Sequence, residues 1–279
     1  IYLITPRGLD NLHFKNFTNS KLIIDFVDPF SLTFLHRYKK RKFLNIIYLL
    51  EYFLAKKYEF KIQKYIHKIT LISKNDIKYY NYYPNKSVHV PHIINIRNKI
   101  KTYDDRKDNA FCFSGNLSYN ENVISIDFIV KKILPILYKF NKSYEFHIIG
   151  ANPKNEILKI LKNDNIKLIK NPNSITNEIS NYRLSVSAQK IPFGVISKIP
   201  ESISVGTPIL TYRENIINSG ILKYDDNLFA ETPGDFAEKI HLCLSSKNVF
   251  ESNVRNINYY SGYFSSKKVK DIMINKIFN

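Results

Sequence analysis

Short runs of β-branched and aromatic residues recur along this chain, each followed by a longer stretch of helical period, and that alternation constrains the fold more than any other feature. It is the signature of βα units, and hence of an α/β architecture built on mainly parallel sheets. The pattern predicts strands over 22–26, 69–73, 88–91, 111–114, 146–150, 166–169, 184–188 and 208–212. It predicts helices over 43–66, 123–140, 155–161, 175–182, 197–205 and 234–244. The stretch from Ile96 to Asn109 is polar, mixed in charge and without period, so it reads as a linker. With domains of roughly 100 to 200 residues, a chain of 279 residues divides there into two. The expected parts are residues 1–97, a linker at 98–109, a second domain at 110–260 and a C-terminal helix within 261–279.

Composition narrows the class of partner. Lysine and arginine number 42 against 24 acidic residues, giving a formal charge of +18 with 44% hydrophobic residues. That balance excludes a disordered chain and implies attraction to polyanions, phosphorylated substrates or anionic lipid. Enrichment in Lys, Ile, Asn and Tyr throughout is also what an AT-rich genome would give, so charge alone does not choose among them. Nucleic acid is not expected, because no reader motif accompanies the charge. Cys112 and Cys243 are far apart and lack metal-ligand spacing, which excludes a disulfide scaffold or a cysteine zinc site and points to a reducing compartment. No apolar stretch reaches the roughly 18 to 20 residues of a membrane span; the nearest, 43–55, is broken by Asn45 and Glu51. The chain opens on Ile1, running straight into strand-like sequence, and reads as a fragment of a longer one.

Two strand ends carry glycine: Ser114-Gly115-Asn116 before the long helix, and Ile148-Ile149-Gly150 before Ala151-Asn152-Pro153. Glycine there lets backbone approach an anion, although many such glycines only serve a tight turn. The most informative segment runs Pro192-Phe193-Gly194-Val195-Ile196-Ser197-Lys198-Ile199-Pro200-Glu201, then on to Gly206-Thr207-Pro208 and an apolar strand. Lys198 and Glu201 stand at i and i+3 of a helix, so one cation and one carboxylate share a face. That suits a ligand with phosphate at one end and a sugar diol at the other; the plainer alternative is a surface ion pair.

This segment resembles the nucleotide-sugar site of retaining GT-B glycosyltransferases, family 4 and its relatives, at Gly194, Lys198, Glu201, Gly206 and Pro208. Upstream, 113–122, Leu134-Pro135 and Phe146-His147-Ile148-Ile149-Gly150 are similar to the start of that family's donor domain. Looser likenesses to capsule and lipopolysaccharide transferases lie in 23–31, in the helix with Glu51 and Glu59, in 72–76 and in 88–95. The resemblance implies two Rossmann-like parallel-sheet domains, the first short or truncated, with the last helix crossing back to the first. It implies a metal-independent retaining hexosyltransferase without cofactor, moving a sugar from a nucleotide-sugar donor to a glycan or lipid-linked acceptor in bacterial surface-glycan synthesis. By the same resemblance, Glu201 would hold ribose hydroxyls, Lys198 would neutralise donor phosphate, and Gly115, Asn116, Gly150 and Gly194 would complete the donor site. Lys198 is also a catalytic candidate with Asp28 and His13, and Asp28 with Ser31 is an acceptor-site candidate.

Departures from the family pattern are equally specific. Phe193 stands where many members carry a partner glutamate, and Asn116, Ser118 and Tyr119 stand where Arg and Lys often follow the glycine. The family's N-terminal glycine loop survives only if Thr5-Pro6-Arg7-Gly8 is its remnant. These departures motivate an alternative, a non-catalytic GT-B relative acting as a binding or assembly partner in the same pathway. The basic run His36-Arg37-Tyr38-Lys39-Lys40-Arg41-Lys42, followed by an apolar helix and then Lys56-Lys57, suits an anionic membrane face. The expected location is therefore cytoplasmic, peripheral at the inner face of the cytoplasmic membrane.

Overall fold

The computed structural model describes residues 1–4, 20–40, 45–80, 85–97, 99–221 and 226–278. Each half of the chain holds one parallel sheet. The first contains β1 (Tyr2–Ile4), β2 (Ile23–Val27), β3 (Lys68–Leu71) and β4 (Ser87–His89), ordered β1-β2-β3-β4. The second contains β5 (Ala110–Ser114), β6 (Glu145–Gly150), β7 (Ile166–Lys170), β8 (Ser185–Ser187) and β9 (Ile209–Thr211), ordered β7-β6-β5-β8-β9. Strand order reverses on either side of β5, which opens a crevice outside the carboxyl ends of β5 and β8, where open α/β sheets bind ligands.

Alternation along β5 feeds two cores. Phe111 and Phe113 pack with Phe146 and Ile148 beneath the helical segment 120–140, while Ala110 and Cys112 face Ile179, Tyr182 and Val205. That segment consists of α4 (Asn120–Phe128), a wider turn at Ile129–Ile133 and α5 (Leu134–Phe140). The wider turn precedes Pro135, whose ring and missing N–H forbid the ordinary i−4 bond. In the first half, α1 (Phe30–Lys40) and α2 (Asn45–Gln63) form a helical hairpin, followed by α3 (Lys74–Tyr79). Ile24 and Phe26 of β2 meet Ile62, Ile66, Leu71 and Tyr80 on one face, while Ile23 faces Val88 on the other.

The second half continues with α6 (Asn155–Ile160), α7 (Ile175–Ile179), α8 (Lys198–Ser204), α9 (Arg213–Asn218), α10 (Pro233–Ser245), α11 (Lys247–Ser261) and α12 (Ser266–Met273). After α12 a last wide turn, Ile274–Phe278, carries Ile277 onto Ile23 and Val88 of the first sheet. The polar stretch before β5 is anchored rather than loose. Arg106, 4% exposed, donates to the carbonyls of Lys101, Tyr182 and Gly206 and to Thr207 Oγ1 at 2.7 to 3.1 Å. The fully described part of that stretch thus belongs mechanically to the second domain.

Candidate active site

The cleft is built from both halves. β2 ends on Val27 with φ of +61°, a left-handed conformation that a β-branched residue adopts at a cost of about 1 to 3 kcal/mol. The turn is tight enough for Asp28 N–H to donate to Phe26 O at 2.6 Å, and it delivers the Asp28 side chain to the cleft wall. Burial raises the Asp28 carboxyl above its ordinary range. Behind it, on α3, Asp76 is 2% exposed and accepts the Gly194 N–H at 2.8 Å, a hydrogen bond from one domain to the other. Burial pushes Asp76 up to about 7, with the Gly194 N–H opposing and the Asp28 charge adding. Gly194 has φ of +70°, and a Cβ there would stand 3.2 Å from an Asp28 carboxylate oxygen. Glycine is what lets the two domains meet at this point.

From the second half, β5 leads into Gly115 and Asn116. A Cβ on Gly115 would lie 3.2 Å from Lys198 Nζ and 2.8 Å from Asn122 Nδ2, so the missing side chain makes room for the ammonium. Lys198 is 6% exposed; its Nζ donates to Asn122 Oδ1 at 2.8 Å and lies 4.8 Å from the Phe113 ring centre. Asn122 is held in turn by donating to Asn116 O at 2.8 Å. Burial lowers Lys198 to about 8, with the Glu201 charge opposing. A buried cation whose hydrogen bond goes to a neutral amide is costly until an anion arrives.

These groups line a cavity of about 450 Å³, shared by Asp28 and His36 from the first half and by Gly115, Asn116, Asn122 and the 189–198 segment from the second. Glu201 lines a neighbouring hollow of about 400 Å³ with His92, Asn95 and Thr176, and Ser197 belongs to both. Lys198 and Glu201 therefore face adjoining chambers rather than one. Gly150 does not line the main cavity; a Cβ on it would lie 1.9 Å from Gly115 O, so it supports the Gly115 turn from below. Ser31 does not join Asp28 in the cleft. Its N–H and Oγ donate to the buried Glu59 carboxylate at 2.9 and 2.6 Å, where they tie α1 to α2. His13 and the 5–8 stretch lie outside the described residues.

One cleft residue, His36, and one buried residue behind the cleft wall, Asp76, escaped sequence reading. His36 sits 3.9 Å from a Glu121 carboxylate oxygen across the cleft and edge-on to Phe193. It was legible only as part of a basic run, because no helix is expected over α1. Asp76 lies within a stretch read for its likeness but carries no motif spacing to Gly194; only the docking of the domains pairs them. Among the described residues, no group of three or more His, Cys, Asp or Glu could hold a metal ion.

No protein-family model matches the sequence, and no curated protein matches it. Solved structures do match its shape. TarM of S. aureus, one structure of which holds UDP, alpha-GlcNAc-glycerol and fondaparinux, aligns with a TM-score of 0.73 at 13% identity over 98% of this chain and 54% of its own. The pneumococcal O-GlcNAc transferase GtfA, in complex with UDP and GlcNAc, aligns at 0.68 with 14% identity over 98% and 56%. WaaG, a glycosyltransferase involved in lipopolysaccharide biosynthesis, aligns at 0.64 with 13% identity over 90% and 74%. This chain thus spans about half the length of TarM and GtfA. These neighbours are GT-B glycosyltransferases, and the likeness shows that the chain has the GT-B fold.

Proposed function

We propose that this chain, with its GT-B fold, is a glycosyltransferase that moves a sugar from a nucleotide-sugar donor to a growing bacterial surface glycan such as a capsule or lipopolysaccharide. The observation that carries the reading is Lys198, an ammonium buried at the Gly115 turn with a neutral hydrogen-bond partner. A nucleoside diphosphate departing from its sugar gains negative charge, and a fixed cation in a site of low dielectric stabilises that charge most where it develops. The reading is metal-independent because the chain's own ammonium takes this part. The adjoining hollow gives the donor a second compartment, with Glu201 accepting hydrogen bonds from ribose hydroxyls. Asp28, reaching the cavity from the first domain, stands on the acceptor side, and the reaction is read as retaining.

The experiment is a thermal-shift panel of UDP, GDP and CDP, followed by turnover of the matching nucleotide sugars. A nucleotide at about a hundred times its dissociation constant adds roughly 2.7 kcal/mol of stability. Glu201→Gln should keep the fold and weaken the donor about ten- to a hundredfold, the worth of a charge-assisted hydrogen bond. No shift with any nucleotide rejects the reading. A second reading, a non-catalytic GT-B partner in the same pathway, is favoured by Phe193, an aromatic wall of the cavity at the position where many members of the family this segment resembles carry a glutamate. It expects nucleotide binding without turnover.

A further inference from the structure

Outside the cleft, the outward side of α2 is the most unusual surface among the described residues. Ile46, Ile47, Leu50, Phe53 and Leu54 are each between 52 and 72% exposed. At helical spacing these residues form one continuous apolar stripe on the first half of the helix. The opposite side is firmly anchored: Ala55, Glu59, Ile62 and Gln63 are buried, and Glu59 holds the start of α1 through Ser31. The stripe is therefore presented by a packed helix, and single exposed apolar residues are ordinary where a contiguous patch is not.

The rim of the stripe is cationic. Arg37 and Lys39 are exposed at the end of α1, Lys57 and Lys61 are exposed beyond the stripe along α2, and Lys64 is exposed just past its end; Glu51 is the exposed acid of that helix. A second copy of the chain meeting this face would add its own cationic rim to this one and supply no matching negative charge. An anionic lipid surface offers both complements, acyl chains to the stripe and negative headgroups to the rim. Lys39 also lines a groove of about 590 Å³ with Leu32, Leu35, Ile191 and Phe193, and that groove shares Phe193 and His36 with the main cavity.

We propose that the α1–α2 hairpin seats this chain on an anionic lipid surface, with the apolar stripe of α2 in the headgroup–acyl boundary and the basic rim at the phosphates. Lys39 belongs both to the basic rim and to the groove beside the cleft. Only that link to the cleft bears on the glycosyltransferase reading; the docking surface does not rest on it.

The test uses the full chain with sedimenting vesicles of phosphatidylcholine, with or without about one-third phosphatidylglycerol. The parent chain should sediment with the anionic vesicles and not with the neutral ones, less so in high salt. Leu50→Ser combined with Phe53→Ser and Leu54→Ser should abolish sedimentation. Lys57→Gln combined with Lys61→Gln should weaken it by roughly 10- to 30-fold, at about fivefold per lysine. Neither variant touches the cleft, so both should keep a cooperative melting transition like the parent's, which shows that they fold, and the parent's response to UDP. No sedimentation of the parent, or sedimentation unchanged by the triple serine variant, overturns the proposal. So does a concentration-dependent dimer that the same variant dissolves, because the stripe then belongs to a second copy. Vesicle binding as expected with no nucleotide shift upholds the docking face and rejects the donor reading alone.

Discussion

Lys198 carries a pH signature that distinguishes a diphosphate clamp from a structural lysine. Its ammonium is lowered to about 8 by burial, so in the empty cleft it loses its proton above that value. A bound diphosphate favours the charged form, so binding above about pH 8 must draw in a proton, and affinity should fall by up to about tenfold per pH unit. Titration calorimetry with UDP on either side of pH 8 measures the slope, and Lys198→Met should remove it. Asp76 works in the opposite sense. Its folded carboxyl is raised from 3.8 to about 7, so the folded state keeps a proton that the unfolded state has released. The group's contribution to stability is full below about pH 4 and is lost as pH rises to about 7, at no more than about 1.4 kcal/mol per unit. Asp76→Asn keeps an acceptor for the Gly194 N–H, so its urea midpoint should lack this decline. Lys198, Gly194 and Glu201 were legible because one continuous segment carries their spacing. Asp76 and His36 were not, because their partners lie on the other domain.

Elements built on runs of buried residues were the most readable. β5 is buried along its length, and β6 along all but its first residue, so β-branched and aromatic composition announces both. β8, which pairs with β5, and β9, which pairs with β8, are shorter than expected, with three residues each. Helices α1 and α11 were missed for a different reason. Their apolar positions are diluted by Tyr, His, Asn and Lys, and packing against other elements, rather than local pattern, holds them. Glycine at strand ends carried more than a turn. Gly150 was expected to touch the donor, yet its space is filled by Gly115 O, which makes it the support of the strand end that touches Lys198. Gly150→Ala should therefore destabilise the second domain by about 1 to 3 kcal/mol or more through overpacking. It should also weaken nucleotide binding by moving Gly115. Chemical denaturation and UDP titration of the same variant measure the two effects, and a neutral result in both would remove Gly150 from the support of the site.

At the scale of the molecule, the chain crosses between its domains twice. The first crossing follows β4, and the second lies between α11 and α12, after which Ile277 packs against Ile23 and Val88 while Lys21 donates to Phe278 O at 3.1 Å. Ile277→Ala should cost about 2 to 4 kcal/mol, and the loss should fall on the first sheet. Hydrogen exchange in β2 and β4 that stays as slow as in the parent would contradict this. The two crossings also touch: Ile94 N–H donates to Phe264 O at 2.9 Å, and both side chains enter the same buried cluster. They are joined again beside that bond, where Tyr263 OH and His89 Nδ1 lie 3.1 Å apart with their rings stacked, so the two crossings brace each other along a seam, as two stitches hold cloth where one would let it turn. The Asp76–Gly194 hydrogen bond extends the same seam, because Ile191 and Ile196, on either side of Gly194, pack with Ile94 and Phe264 in one buried cluster, so strain that parts Asp76 from Gly194 is felt at the crossings as well.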